Sequence, residues 1–434
     1  MQIHVVKAGE SLYSIARQYG VSPTLLGRLN AAPADGALAV GQTLVIYEPE
    51  RVHVVQPGET LEGIARQEGV TVLSLYQNNY FLGGQPNILP DEELIVALKG
   101  EKQGTLGVNG YAYTFIRQEQ LRTVLPYMTY LTPFTYGITA EGALVIPDDE
   151  PLLALAPEYR VQSWMHLSTL TEEGSFDSRL GGALLENETA QAALIDAVEA
   201  NMLAKGYGGL DVDFEYLEGR LAAAYAAFIE KLRQRLNPLG FPVIVALAPK
   251  SSAGQRGLLY EAHDYVLLSQ AANAVLLMTY EWGYTAGPPM AVAPMPQVRQ
   301  VLDYALRVMP PQKIFLGVPT YGYNWPLPFQ QGVTRAPSLS PQEALALARR
   351  YGAEIRYDET AQSPWFRYTD ENGTVHEVWF EDARSVQAKF DLIERNQLVG
   401  GTYWNLLRPF PQNWALAAQR ITPRSLWQGS LQSP

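Results

Sequence analysis

Asp211, Asp213 and Glu215 fall at every second position of the run Gly208-Gly209-Leu210-Asp211-Val212-Asp213-Phe214-Glu215-Tyr216. Successive side chains on a strand point to opposite faces, so the three carboxylates share one face while Leu210, Val212 and Phe214 take the other. Same-face acids repel one another and cost stability wherever they are partly buried, so packing gives no reason to line them up. What they supply is proton chemistry, because crowded carboxyls share protons and hold them to higher pH than isolated ones. The competing reading is an exposed edge strand with solvated acids. Against it stands the helical pattern from Ala192 to Ala204 just upstream, which suits a crossover helix feeding a buried parallel strand. The stretch is a catalytic candidate.

A strand of this kind needs a scaffold, and the chain from about residue 105 provides the pattern of one. Apolar β-rich runs occur at 108–116, 126–136, 161–169, 207–215, 241–248, 273–280, 314–321 and 399–406. Helical patterns intervene at about 189–204, 221–236, 258–270, 294–308 and 385–397. Eight strands alternating with helices predict an α/β fold, a (β/α)8 TIM barrel over 105–428. The alternative, a doubly wound open sheet, often carries a phosphate-binding glycine fingerprint that is absent here. Between the seventh and eighth runs, a helical segment at 341–352 and strand-like pieces near 354–358, 364–369 and 374–380 predict a small α+β insertion at about 324–383. Glu371-Asn372-Gly373 is its expected hairpin turn. Reacting residues in such barrels sit at the C-terminal strand ends, which draws Glu215, Tyr280, Glu281, Tyr321 and Trp404 to one end.

The first hundred residues are a repeat. His4-Val5-Val6, Gly9-Glu10-Ser11-Leu12 and Ile15-Ala16-Arg17-Gln18 recur 49 residues later as His53-Val54-Val55, Gly58-Glu59-Thr60-Leu61 and Ile64-Ala65-Arg66-Gln67. Each copy reads as strand, helix, helix, strand, with Ser11 or Thr60 as helix cap and Gly20 or Gly69 as helix stop. Two units at 1–48 and 51–98 follow, with Glu48-Pro49-Glu50 and Lys99 to Gly104 as polar linkers. This pattern resembles the LysM module, a family that binds N-acetylglucosamine-containing glycans such as peptidoglycan and chitin. The resemblance implies shallow glycan grooves at Gly9, Glu10, Ser11 and Leu12 with Asn30, and at Gly58, Glu59, Thr60 and Leu61 with Asn78. A competing reading makes these residues ordinary turn and cap positions.

Composition narrows the partners. A chain of 434 residues with a net charge of −12 is expected to hold two or more domains and to avoid nucleic acid and anionic membranes. The lack of cysteine excludes disulfides and thiolate chemistry, and five scattered histidines make a histidine metal site an unfavoured reading. No apolar run is long enough to span a bilayer, and the N-terminus does not read as a signal peptide. A monomer without metal or organic cofactor is expected.

The acidic strand resembles the D-G-x-D-x-D-x-E signature of glycoside hydrolase family 18, the chitinase-like retaining hydrolases. Gly208 stands in place of the leading Asp and Phe214 in place of the frequent Trp. Met278-Thr279-Tyr280-Glu281 is similar to the family's M-x-Y-D on strand six, and Gly401-Thr402-Tyr403-Trp404 to its eighth-strand segment. The resemblance implies substrate-assisted catalysis, in which the substrate's acetamido oxygen attacks the anomeric carbon. It makes Glu215 the general acid and then base, Asp213 the group that orients the acetamido N–H, and Asp211 the partner sharing a proton with Asp213. Tyr280 would donate to the acetamido oxygen, and Trp404 would floor the sugar pocket beside Glu281, Tyr321, Trp282 and Asn405. Two LysM-like units ahead of the barrel, Asp-Phe-Glu in place of Asp-Trp-Glu, and Gly287-Pro288-Pro289 resemble the family's spore-germination subgroup, N-acetylglucosaminidases acting on cortical fragments. That implies a peptidoglycan substrate and a place in the spore, or else at the cell wall. A chitin-oligomer hydrolase and a non-catalytic glycan-binding coat protein are the other readings. A muramidase would need a second carboxylate as nucleophile, and none is evident.

Overall fold

The computed structural model describes residues 2–100, 102, 104–170 and 177–427. Glu101 and Gln103 of the second expected linker, and Met1 and Gln428 at the expected domain limits, lie outside the described residues.

In the first repeat the strand Gln2–Val5 pairs antiparallel with Thr43–Ile46 around the helices Leu12–Tyr19 and Pro23–Leu29. In the second, Pro49–Val54 pairs with Glu93–Leu98 around Leu61–Glu68 and Val72–Asn78. Ser11 and Thr60 cap their first helices by accepting from the Ser14 and Gly63 N–H, and Gly20 and Gly69 end them with φ of 68° in both cases. The expected linker Glu48-Pro49-Glu50 is not a linker. Pro49 opens the second unit's first strand opposite Leu98, and the Lys99 N–H reaches the Glu48 carbonyl at 2.9 Å. Pro49 serves as a strand's first residue, one of the few strand positions where a missing N–H costs nothing.

The barrel strands are Gly104–Tyr113, Tyr130–Phe134, Gln162–Ser163 continued by Met165–Ser168, Leu210–Asp213, Val243–Leu247, Ala274–Leu277, Ile314–Pro319 and Gly400–Trp404. Every neighbouring pair is parallel. The third strand closes the circle: its first half pairs with the second strand, and its second half pairs with the fourth. Trp164, Tyr130, Tyr111, Ile244, Leu276 and Phe315 pack together inside, while Leu210, Val212 and Phe214 point outward onto the helices and are fully buried. That outward packing turns Asp211 and Asp213 to the interior.

The helices Glu188–Lys205, Ala222–Leu236, Met295–Val308 and Ala383–Arg395 match their patterns. The helix expected at 258–270 is only Tyr265–Ala271. Asp264 accepts from the Val266 and Leu267 N–H groups and so begins the helix there, leaving 258–263 as an irregular rim on the barrel. Above strand seven, Ser338–Leu339, Gly322–Leu327, Val375–Trp379, Ser363–Thr369 and Arg356–Asp358 form, in that order, an antiparallel sheet. The sheet packs on the helix Pro341–Arg350, and Gly373 makes the hairpin turn with φ of 81°.

Both N-terminal units are docked on the barrel. Leu25, Leu29, Val45 and Ile95 share one apolar cluster with Ala383 and Ala415 of the last two barrel helices. Thr43 donates from its hydroxyl to Gln412 Oε1 at 2.8 Å, and Gln412 returns a bond to the Thr43 carbonyl. Gly41, at φ of 83°, passes so close to the insertion that a Cβ there would lie 1.8 Å from the Ile355 carbonyl oxygen. The second unit is held by Gln77 Nε2 donating to the Pro126 carbonyl (2.7 Å) and by Tyr159 Oη donating to the Gly84 carbonyl (2.6 Å). Arg28 joins the units, 2.5 Å from the Glu92 carboxylate and 3.7 Å above the Phe81 ring.

Candidate active site

The parallel ladder holds Asp211 opposite His166 and Asp213 opposite Ser168, and stops there. Glu215 follows two residues beyond, and Tyr216 turns the chain with φ of 56°. All three acids therefore ride on, or just past, one strand whose back is locked by packing. Asp211 is 1% exposed; Tyr111 donates its hydroxyl to Asp211 Oδ2, and Asp211 Oδ1 and Asp213 Oδ1 are buried with no hydrogen-bond partner among the described residues.

The electrostatics follow from burial, with no Lys or Arg paired to these acids among the described residues. Burial raises the Asp211 carboxyl to about 7, with the Tyr111 hydroxyl pulling the other way. Burial pushes Asp213 well up, and the charges of Glu215 and Asp211 push it further. Burial raises Glu215 as well. His166 Nε2 is 3.9 Å from Asp211 Oδ2 and 3.8 Å from Asp213 Oδ2, yet these are not ion pairs. Burial lowers the imidazole to about 3, so it is neutral at working pH. With no compensating charge among the described residues, the carboxyl cluster holds a proton toward the neutral range.

The acids open into a cleft of about 930 Å³ at the C-terminal strand ends. Asp213, Glu215, Tyr280, Glu281, Trp282 and Trp404 all line it. The Tyr280 and Trp404 rings lie nearly parallel, 14° apart with centroids at 6.4 Å, and Trp404 meets Tyr111 edge-on at 5.4 Å. Glu281 adopts φ of 66° and accepts from the hydroxyls of Tyr321 and of Tyr323, the latter at 2.9 and 3.2 Å. Burial raises its carboxyl, and those two hydroxyls restrain the rise.

Two expected substrate contacts stand elsewhere. Tyr321 lies outside the cleft lining, behind Glu281, which it holds. Asn405 is also outside it; its Oδ1 accepts from the Leu407 N–H at 3.1 Å and its carbonyl from the Thr320 hydroxyl at 2.5 Å. Sequence reasoning missed Tyr111, Tyr113 and His166, which line the cleft. Tyr111 and Tyr113 are two apart on the first strand, and the same alternation that exposed the acids marks them as one face.

The sequence model described as Glycosyl hydrolases family 18 matches residues 176–408, and that of the LysM domain matches 4–46 and 53–97. The chain is 40% identical over 430 residues to a cortical fragment-lytic enzyme of Bacillus subtilis, covering 97% of this chain and 98% of that one. The chain belongs to glycosyl hydrolase family 18. Among solved family structures, that of the Bacillus cereus spore cortex-lytic enzyme SleL superposes with a TM-score of 0.83 at 35% identity, covering 98% of both chains. The Bacillus megaterium SleL structure gives 0.82 at 38%, covering 98% of this chain and 99% of that one. A chitinase from Chromobacterium violaceum gives 0.67 at 26%, over 73% of this chain and 98% of that one.

In this family 18 chain the LysM motif residues are occupied structurally. Gly9 and Gly58 turn the chain with φ of 82° and 87°. Glu10 and Glu59 each bond a histidine, His4 or His53, at 2.8 Å and a backbone N–H, Lys7 or Gln56, at 2.7 Å. Asn30 is buried, its amide joining the Leu26 and Val45 backbone. Its repeat equivalent is Asn79, not Asn78: Asn79 bonds Leu75 and Ile95 in the same way, and Asn78 bonds the Val96 carbonyl. These asparagines clamp helix to strand, and neither Asn30 nor Asn78 faces solvent. Leu61 is buried and Leu12 half-buried in the unit cores.

Proposed function

We propose that this chain is a β-N-acetylglucosaminidase that hydrolyses peptidoglycan of the bacterial spore cortex, acting as a monomer, with its two LysM units holding the glycan. Relatives that match over nearly the full length include enzymes named for cortex lysis, and this supports both the substrate and a place in the spore. The carrying observation is the acid strand ending in the cleft with Glu215 accessible and the Tyr280–Trp404 pair beside it.

Glu215, raised by burial, keeps a proton to deliver to the leaving oxygen and afterwards draws one from water. The pocket's other acids are poor nucleophiles. Burial and the charges of Glu215 and Asp211 push the Asp213 carboxyl up, which favours its sharing a proton over attacking carbon, and Glu281 is engaged by two tyrosine hydroxyls. The nucleophile is then the substrate's own acetamido oxygen, with retention of configuration. Asp213 orients the acetamido N–H, and Asp211 takes up charge as their shared proton moves. Tyr280, whose hydroxyl stays protonated because burial raises it well above its ordinary value, donates to the acetamido oxygen, and Trp404 supports the sugar face. An acetamido group is required, so cleavage follows N-acetylglucosamine.

The test is mass spectrometry of products from spore cortex, vegetative peptidoglycan and chitin hexamer, with wild type and Glu215→Gln. Cortex fragments ending in reducing N-acetylglucosamine, absent with the variant, support the reading. Products from chitin alone would favour the chitin-oligomer reading, to which the similarity with the Chromobacterium chitinase lends weight. Binding without cleavage refutes catalysis.

A further inference from the structure

We propose that His263 is a positioning residue for the general acid, acting as a side-chain rung that fixes the Phe214 peptide and thereby aims Glu215. This rests on the role given to Glu215 above.

The ladder between strands four and five ends at Val212 opposite Val245. Past that point the two strands are no longer paired, and among the described residues no backbone hydrogen bond joins Phe214 to Ala248. The fully buried His263 ring fills the gap: Nδ1 accepts from the Ala248 N–H at 2.8 Å, and Nε2 lies 3.0 Å from the Phe214 carbonyl. Since Nδ1 is used as an acceptor, the proton must be on Nε2, which donates to that carbonyl. One planar side chain thus replaces the missing backbone rung at the residue before Glu215.

The preceding peptide, between Asp213 and Phe214, is held too. Tyr225 Oη is 3.4 Å from the Phe214 N–H, and the Phe214 ring stacks on Tyr225 at 5.8 Å and 9°. Ala248 is in turn fixed by Tyr265, whose hydroxyl donates to the Ala248 carbonyl at 2.7 Å and accepts from the Lys250 N–H at 3.0 Å. Glu215 is therefore mounted between a peptide clamped by side chains and the left-handed turn at Tyr216. Burial lowers His263 to about 4, so the ring stays neutral and keeps this donor–acceptor polarity at working pH. His263 does not line the cleft, so it acts only through Glu215.

The test exploits the leaving group. A sugar alcohol departs only with a proton from Glu215, whereas a 4-methylumbelliferyl group departs with little help. His263→Phe fills the space without either hydrogen bond. It is expected to slow cleavage of cortex fragments about 10- to 100-fold in kcat with KM nearly unchanged, and to slow 4-methylumbelliferyl di-N-acetylchitobioside hydrolysis less than about threefold. His263→Gln, which carries a donor and an acceptor on one plane, is expected to recover most of the lost rate. Equal losses on both substrates, a loss carried by KM, or no recovery with Gln would overturn the proposal. Glu215→Gln assayed alongside separates the two levels: if it still cleaves cortex fragments, the reading of Glu215 fails first and this inference falls with it.

Discussion

Tyr111→Phe removes one oxygen and leaves the ring where it meets His166 and Trp404, each at 5.4 Å. That oxygen carries the hydrogen-bond donor to Asp211 Oδ2, and Asp211 Oδ1 is buried without a hydrogen-bond partner among the described residues. A hydrogen bond to a charged acceptor contributes about 1.5–3 kcal/mol, and removing it lifts the carboxyl by about one to two pH units. Asp211, already raised to about 7, would then keep its proton through the neutral range. The proposed mechanism needs the charge to settle on Asp211 when Asp213 takes the shared proton, so the loss falls on the reacting state. It corresponds to a decrease in kcat of roughly 10- to 150-fold. KM should stay within about twofold, because the lost hydroxyl points at Asp211 and not at the sugar. Initial rates of reducing-end release, taken across pH alongside thermal unfolding, measure both effects. A kcat within about threefold of wild type, with an unmoved pH profile, would refute the assignment of the charge to Asp211.

Asp211 also links pH to stability. Its folded pKa lies above the unfolded value, so its contribution is fully present below about pH 4 and is lost as pH rises through about 7, by about 4 kcal/mol in all. Asp211→Asn should flatten the fall in melting temperature over that window; an unchanged slope in calorimetry refutes it. Gly41→Val forces a β-branched residue into φ of 83° against the Ile355 carbonyl, at a backbone cost of about 1–3 kcal/mol before the overlap is relieved. The first LysM unit should become protease-sensitive while turnover of a small aryl glycoside persists. Unaltered digestion kinetics would show that the unit tolerates the strain.

The barrel and its acid strand were legible because both depend on short-range period: alternation at 211, 213 and 215, and strand–helix alternation along 300-odd residues. What escaped depends on partners far away in sequence. The stretch 258–263 has a helical look, but Asp264 caps the helix after it, and Leu258 and Tyr260 are spent on the cleft wall. Pro49 looked like a linker residue until its partner at Leu98 was known. Asn78 and Asn79 are adjacent loop-like asparagines, and only the repeat offset of 49 from Asn30 singles out Asn79 as the equivalent. Tyr111 contacts an acid a hundred positions away, a pairing that no local pattern carries.

The docking of the two N-terminal units changes what such units mean for a polymer. Units on flexible linkers raise local concentration and let the blade roam. Here Thr43 with Gln412, Arg28 with Glu92 and Tyr159 with Gly84 lock units and barrel into one body. If the units grip a glycan strand as proposed, grip and cut lie at a constant separation, like the jaws of a caliper. The grip then presents for cleavage those linkages that this offset carries over Trp404. Fragment length is then a dimension of the protein, and stretches of glycan too short to span from unit to cleft are cut without the help of the grip.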